Sequence, residues 1–389
     1  MRVGARVLGG AAVLIALTGC AVAPPAAAPA GPDTSAPAPP APGGTETAAA
    51  SAMEVVDDPA STLLDVVVAP GDPDVRVAAW RQCPTTDCPS PRVALAISRG
   101  TGTRVVPSRV WRSTPLVRVD AEGRALVVSW EERLGLAVVR PDGSVVDVRR
   151  TRDVAPVAPG EIVAGVVHGR GGASFLATDP VRAVAHPIPV PRDSVQVEQL
   201  PSGQLRATTL RRTYAWSDDG GATWHESAGA SAATLLQSFA TSTPDRHVLV
   251  GGSDGATLFP FEEVRTMDSV DSWSVVPQPA GPRAYVGATA VLPDGRFLVD
   301  VEGWSDNGRT GGRLRGTAPG LYVSDGSDWA AYSRLEQGTP FAEAAFGVPD
   351  VRYAAVDDGS TTLGAIGPDG RSWWTSTDLG GSWEAQPVR

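Results

Sequence analysis

The residues best equipped for chemistry sit in one Gly-rich stretch, Gly303-Trp304-Ser305-Asp306-Asn307-Gly308-Arg309-Thr310-Gly311-Gly312-Arg313-Leu314-Arg315-Gly316. Trp304 offers a stacking face, and Arg309, Arg313 and Arg315 offer guanidinium forks suited to an acidic or sugar ligand. A long loop inside a compact domain is often functional, since otherwise it is only an entropic burden. The alternative reading is a mobile surface excursion. Asp306-Asn307-Gly308 opens like a calcium loop, but the later acidic ligands are missing. His168, His186, His225 and His247 show no short spacing, and no Gly-x-Ser-x-Gly elbow supports a Ser-His-Asp arrangement. Cys83 and Cys88, spaced C-x4-C, read as a disulfide closing a short loop, which contributes roughly 2 kcal/mol by chain entropy. A metal site is the alternative there, but no second Cys or His pair completes four ligands. The expectation is no metal and no cofactor.

The first twenty residues carry an address. Arg2 and Arg6 form a positive n-region, Val7 to Leu17 an apolar run, and Leu17-Thr18-Gly19-Cys20 looks like a bacterial lipobox. The run falls short of the about 20 apolar residues a spanning helix needs. Residues 1–19 are therefore expected to be a lipoprotein signal peptide, with cleavage before Cys20 and a diacylglyceryl thioether on that residue. An ordinary secretory signal with an incidental Cys is the alternative. Two acyl chains suffice for stable anchoring. The expected location is the cell membrane, lipid-anchored on its extracytoplasmic face. Residues 20–53 form a linker of little but Ala, Pro, Gly, Ser and Thr, too poor in apolar surface to fold.

Charge narrows the partners. Removing Arg2 and Arg6 leaves 31 Arg against 43 acids, a net charge of −12. Such an acidic domain argues against nucleic acid and anionic headgroups as principal partners. The membrane, through the lipid, and an envelope protein or glycan ligand remain, and the chain is expected to be a monomer.

From residue 54 onward, short strand-forming runs alternate with Gly, Pro, Asp and Ser at hairpin spacing. Two turns repeat one pattern: Ser217, Asp219, Gly221, Thr223, Trp224, and Ser376, Asp378, Gly380, Ser382, Trp383. The Asp can accept backbone N–H groups across the turn, the Gly can take a positive φ, and the Trp can pack beneath. The pattern resembles the Asp-box, or BNR repeat, of sialidase-like β-propellers, where it marks the outer rim rather than the catalytic centre. Weaker copies at Ala96-Ile97-Ser98, Val139 to Val146, Ala177 to Ala185, Met267 to Trp273 and Tyr322 to Trp329 extend the repeat. They imply units over 62–113, 114–152, 153–192, 193–228, 229–280, 281–338 and 339–389. The expected domain, 54–389, is an all-β, seven-bladed β-propeller, six-bladed if the third unit is only an irregular connection. Residues 54–61 would pair with the last blade and close the ring. Trp80 and Trp130, in the second strands of the first two blades, read as packing residues between blades.

The resemblance also implies a chemistry to look for. Sialidases hold a substrate carboxylate with three Arg, use a Tyr activated by Glu as nucleophile and an Asp as acid/base. Arg283 and Tyr285 on an expected innermost strand, with Glu302 on the next, are the candidates for that role; Tyr214 and Tyr322 read as packing residues. The Phe/Tyr-Arg-Ile-Pro motif of that family is missing. The favoured expectation is therefore a non-catalytic ligand- or protein-binding module, the alternative an exo-sialidase-type glycosidase.

Overall fold

The computed structural model describes residues 52–389 apart from 70–71, 84–90, 131–133, 169–171, 201, 210–212, 228–234, 239–246, 253–257, 262, 268–272, 280–283, 293, 302–317, 327, 343–349 and 358–359. Seven sheets follow one another along the chain and form a seven-bladed β-propeller. Blade one is β1 (Thr62–Ala69), β2 (Asp72–Gln82), β3 (Arg92–Arg99) and β4 (Gly102–Val105). Blade two is β5 (Leu116–Val119), β6 (Ala125–Trp130), β7 (Leu134–Val139) and β8 (Val145–Asp147). Blade three takes β9 (Arg149–Arg150), β10 (Ile162–His168), β11 (Gly172–Asp179) and β12 (Val184–Pro187). Blade four is β13 (Ser194–Gln199), β14 (Leu205–Thr209), β15 (Tyr214–Ser217) and β16 (His225–Ser227). Blade five is β17 (Leu235–Ser238), β18 (His247–Gly252), β20 (Glu263–Met267) and β21 (Ser274–Val276). Blade six is β22 (Ala284–Val291), β23 (Phe297–Val301), β24 (Gly320–Ser324) and β25 (Tyr332–Arg334), joined by the short β19 (Leu258–Phe259). Blade seven is β26 (Asp350–Asp357), β27 (Ser360–Ile366), β28 (Trp373–Ser376) and β29 (Glu384–Gln386).

Middle strands such as β3, β7 and β23 are nearly continuous apolar runs because both their faces are buried. In β2, Val75, Val77 and Ala79 pack toward blade two, while the intervening Ala78 and Trp80 pack toward blade seven. In β6, Ala125 and Val127 join the first of these clusters, and Leu126 and Val128 reach blade three. The two-residue period of a strand thus divides one sequence between two seams. Among the described residues there is one apolar cluster for each of the seven adjacent blade pairs. No blade owns a complete core, so the ring closes or the strands stay wet.

Two details differ from the sequence-based expectation. The Ala177 to Ala185 stretch joins the second and third strands of blade three, not the third and fourth. The outer position is filled instead by β9, which pairs parallel to β12 as the chain arrives from blade two. The third unit is nonetheless a complete four-stranded blade. Second, the start of the 54–61 segment adds no strand to blade seven. Residues 52–57 form a helical turn, because Ala52, Val55 and Val56 present one apolar face at helical spacing.

Candidate functional site

In a ring of such meanders, the connections between second and third strands and those entering each first strand lie on one face. The connections between first and second and between third and fourth strands lie on the other. On the first face lie the end of β2 and start of β3, the end of β18 and start of β20 with β19 between them, and the end of β23 and start of β24. β19 leaves blade five and pairs with the start of β22 in blade six, Leu258 opposite Tyr285 and Phe259 opposite Ala284. Phe259 then packs edge-on to Phe261 and Tyr332, fixing this crossing between two blades.

The first strands line the centre of the ring and bring charges from three blades together. Arg118 on β5 lies in the field of Asp65 on β1 and Glu198 on β13; burial lowers its guanidinium pKa, and the two carboxylates oppose that shift. Gln199 staples the neighbouring first strand, donating to the Glu161 carbonyl at 3.1 Å and accepting from Val163 N–H at 3.1 Å. Glu161 in turn meets His186 Nε2 at 3.1 Å.

The two repeated turns sit on the opposite face, toward the outer edge. Ser217 ends β15, and its hydroxyl donates to Asp219 (2.8 Å) while accepting from Gly221 N–H (2.7 Å). Asp219 accepts Thr223 N–H at 2.8 Å and the Thr223 hydroxyl at 2.6 Å. The second copy repeats this with Ser376, Asp378, Gly380 and Ser382 at 2.7–2.8 Å. Hydrogen bonds from Thr223 and from Ser382 hold the two carboxyls down to about 2. Gly221 and Gly380 take φ of +93° and +94°, which a side chain resists. Each turn also leans on chain outside its own blade: Val157, between β9 and β10 of blade three, donates its N–H to the Gly220 carbonyl (2.8 Å), and Gly338, just before blade seven, donates its N–H to the Gly380 carbonyl (2.8 Å). Trp224 donates to the Pro189 carbonyl at 2.9 Å, whereas Trp383 packs edge-on to Phe341 with its indole N–H buried and unpartnered. These acids are committed to architecture.

The seam between blades four and five holds a polar network that sequence reasoning missed. Asp218 accepts from the Gln204 amide (2.7 Å), and the Gln204 oxygen accepts twice from the fully buried Arg206 (2.9 and 2.7 Å). Arg206 faces the Tyr214 phenol, which lies 2.8 Å from His247 Nδ1 across the seam. Burial pushes the Tyr214 phenol well above its ordinary value, with Arg206 pulling the other way. Burial, then the Arg206 charge, push His247 down to about 4, and Asp218 opposes them. Trp216 and Trp273 enclose the pair. The available signal was a lone arginine inside Leu205–Thr209, a strand buried at every position.

Of the other candidates, Tyr285 is the second residue of β22, an innermost strand, with its backbone paired to Leu258 of β19. Arg283 and Glu302 lie outside the described residues, as do Trp304, Arg309, Arg313, Arg315, Cys20 and Cys88. Cys83 follows β2 and is half-buried. Trp80 is fully buried at the seam of blades one and seven and donates to the Val388 carbonyl at 3.3 Å. Trp130 ends β6. Among the described residues, no group of three His, Cys, Asp or Glu could hold a metal ion, and no helix is long and apolar enough to cross a membrane.

No family model matches the chain, and no curated protein matches it by sequence. Solved structures do. A prolyl endopeptidase superposes with a TM-score of 0.51 at 10% identity, over 88% of this chain and 51% of that one. A puromycin-hydrolysing peptidase of Mycobacterium tuberculosis gives 0.48 at 15% identity, over 90% of this chain and 55% of its own. YCF48 bound to D1 peptide gives 0.34 at 13%, over 84% of this chain and 81% of that one. The chain thus spans about half the length of these peptidases, and the likeness is one of fold.

Proposed function

We propose that this chain is an exported, lipid-anchored propeller that binds a protein or glycan ligand at the cell envelope without turning it over. The observation that carries the reading is the fate of the described Tyr, Arg and Glu side chains that lie close together. Tyr214, Arg206 and Glu198 are sealed within and beside the seam of blades four and five, with the phenol held neutral, the reverse of what a nucleophile needs. The ring meanwhile directs its longer second-to-third connections to one face, the usual arrangement for recognition on a rigid scaffold. In this reading, Trp304, Arg309, Arg313 and Arg315 supply stacking and guanidinium contacts to an acidic or sugar-bearing ligand, Cys83 and Cys88 brace the blade-one connection by a disulfide, and Cys20 carries the lipid.

The test uses the mature chain and a version in which 303–316 is replaced by a short Gly-Ser turn. Both should melt alike, and only the parent should retain a partner from envelope extracts. Equal retention by the two would remove the loop from the proposal. Hydrolysis of a fluorogenic sialoside, abolished by Tyr285→Phe, would replace binding with glycosidase chemistry. Cys20→Ser should release the chain from the membrane fraction.

A further inference from the structure

A ring must be closed between its first and last blades, and among the described residues no strand is shared across that seam. β1–β4 and β26–β29 come wholly from opposite ends of the folded chain. We propose that residues 52–61, the segment leading from the N-terminal linker to β1, are a clasp that holds this seam shut. Ala52, Val55 and Val56 are 0, 0 and 1% exposed. They pack in one cluster with Leu63 and Trp80 of blade one and with Ile366, Trp373 and Val388 at blade seven.

Polar contacts tie the same segment to both sides. Toward blade one, Arg92 pairs with Glu54 at 3.0 Å, and the Gln82 amide donates to the Asp58 carboxylate. Toward blade seven, the Arg371 guanidinium donates to the Asp58 carbonyl at 2.6 Å and to the Ser61 carbonyl, while lying 5.3 Å over the Trp80 ring. Immediately after the clasp, Leu63 N–H donates to the Gly370 carbonyl at 2.7 Å. Among the described residues, the other direct bonds between the two blades are few: Arg76 to the Gln386 side chain at 3.0 Å, and Trp80 to the Val388 carbonyl. Without the clasp, the indoles of Trp80 and Trp373 lose part of their apolar cover, and the seam opens before any other. A force or protease acting on the N-terminal linker therefore reaches ring closure first.

The test is hydrogen exchange on the full mature chain carrying Val55→Ser with Val56→Ser. Exchange in β1, β28 and β29 should rise on the order of a hundredfold, while β14 and β15 keep their protection. Val56→Ala, a milder change, should raise the same segments on the order of tenfold, and it supplies the reading should the double variant fail to fold. Val154→Ser, at a position 63% exposed, is the neutral comparison. Exchange rising evenly in all seven blades, or an unchanged seam in Val56→Ala, would overturn the clasp.

Discussion

Acid should loosen the seam of blades four and five before it loosens the rest. His247 accepts the Tyr214 hydroxyl on Nδ1 and faces the Arg206 guanidinium, with Asp218 as the opposing charge and His225 beyond the Trp216 ring. Its ordinary value of 6.5 is pushed down to about 4, so the folded state binds the proton less tightly than the unfolded chain. The stabilisation is complete above about pH 6.5 and drains as pH falls toward 4. The full gap corresponds to about 3 kcal/mol, of which about 2 kcal/mol is lost by pH 5. For a domain of this size that is a drop in Tm of about 3 °C. His247→Gln keeps an acceptor for Tyr214 but cannot titrate. Calorimetry of both proteins from pH 7.5 to 5 should therefore show a steeper decline in the parent by about that amount. Parallel declines, or an NMR titration of His247 at or above 6.5, would refute the reasoning.

Two substitution pairs probe the turns. Trp224→Phe and Trp383→Phe remove the same atoms, but only Trp224 has a hydrogen-bond acceptor for its indole N–H. Trp224→Phe should be the more destabilising by about 1–2 kcal/mol in urea titrations; equal losses would show that the Pro189 bond contributes nothing. Gly380→Ala meets both a φ of +94° and the Gln337 amide, whereas Gly100→Ala, at φ +56°, meets open space. The first should cost about 3 kcal/mol and the second about 1 kcal/mol.

The wheel was legible because its punctuation is local. Ser217 to Trp224 and Ser376 to Trp383 fix two third-to-fourth turns through contacts within eight residues, and these anchors were enough to phase four of the other five blades. Blade three was misphased by one strand because Asp179 caps its turn with bonds to Val181 and Arg182 N–H, locally similar to a rim turn. Only the long-range pairing of β9 with β12 tells the two apart. The seam network was illegible for the same reason. Arg206 and Tyr214 come from the paired strands β14 and β15, but His247 comes from β18 of the next blade, and their meeting depends on how the two blades pack rather than on any spacing in the chain.

β9 offers the sharpest test of how neighbouring blades are stitched. Val148 N–H still donates to Leu136 of blade two (2.9 Å), and the very next residue, Arg149, donates to Ala183 of blade three (2.9 Å). Thr151 N–H continues the ladder to Ala185 at 2.8 Å. The Arg149 side chain is exposed, whereas Arg150 reaches back to donate to the Leu134 carbonyl of blade two at 2.6 Å, so at Arg149 the stitch is a backbone device. Arg149→Ser should then change stability by no more than about 0.5 kcal/mol. Thr151→Pro removes a donor from a parallel edge pair and should cost about 3 kcal/mol, with exchange rising first in β12. A large effect of Arg149→Ser together with a small one of Thr151→Pro would mean that side-chain charge, not the shared ladder, joins the second blade to the third.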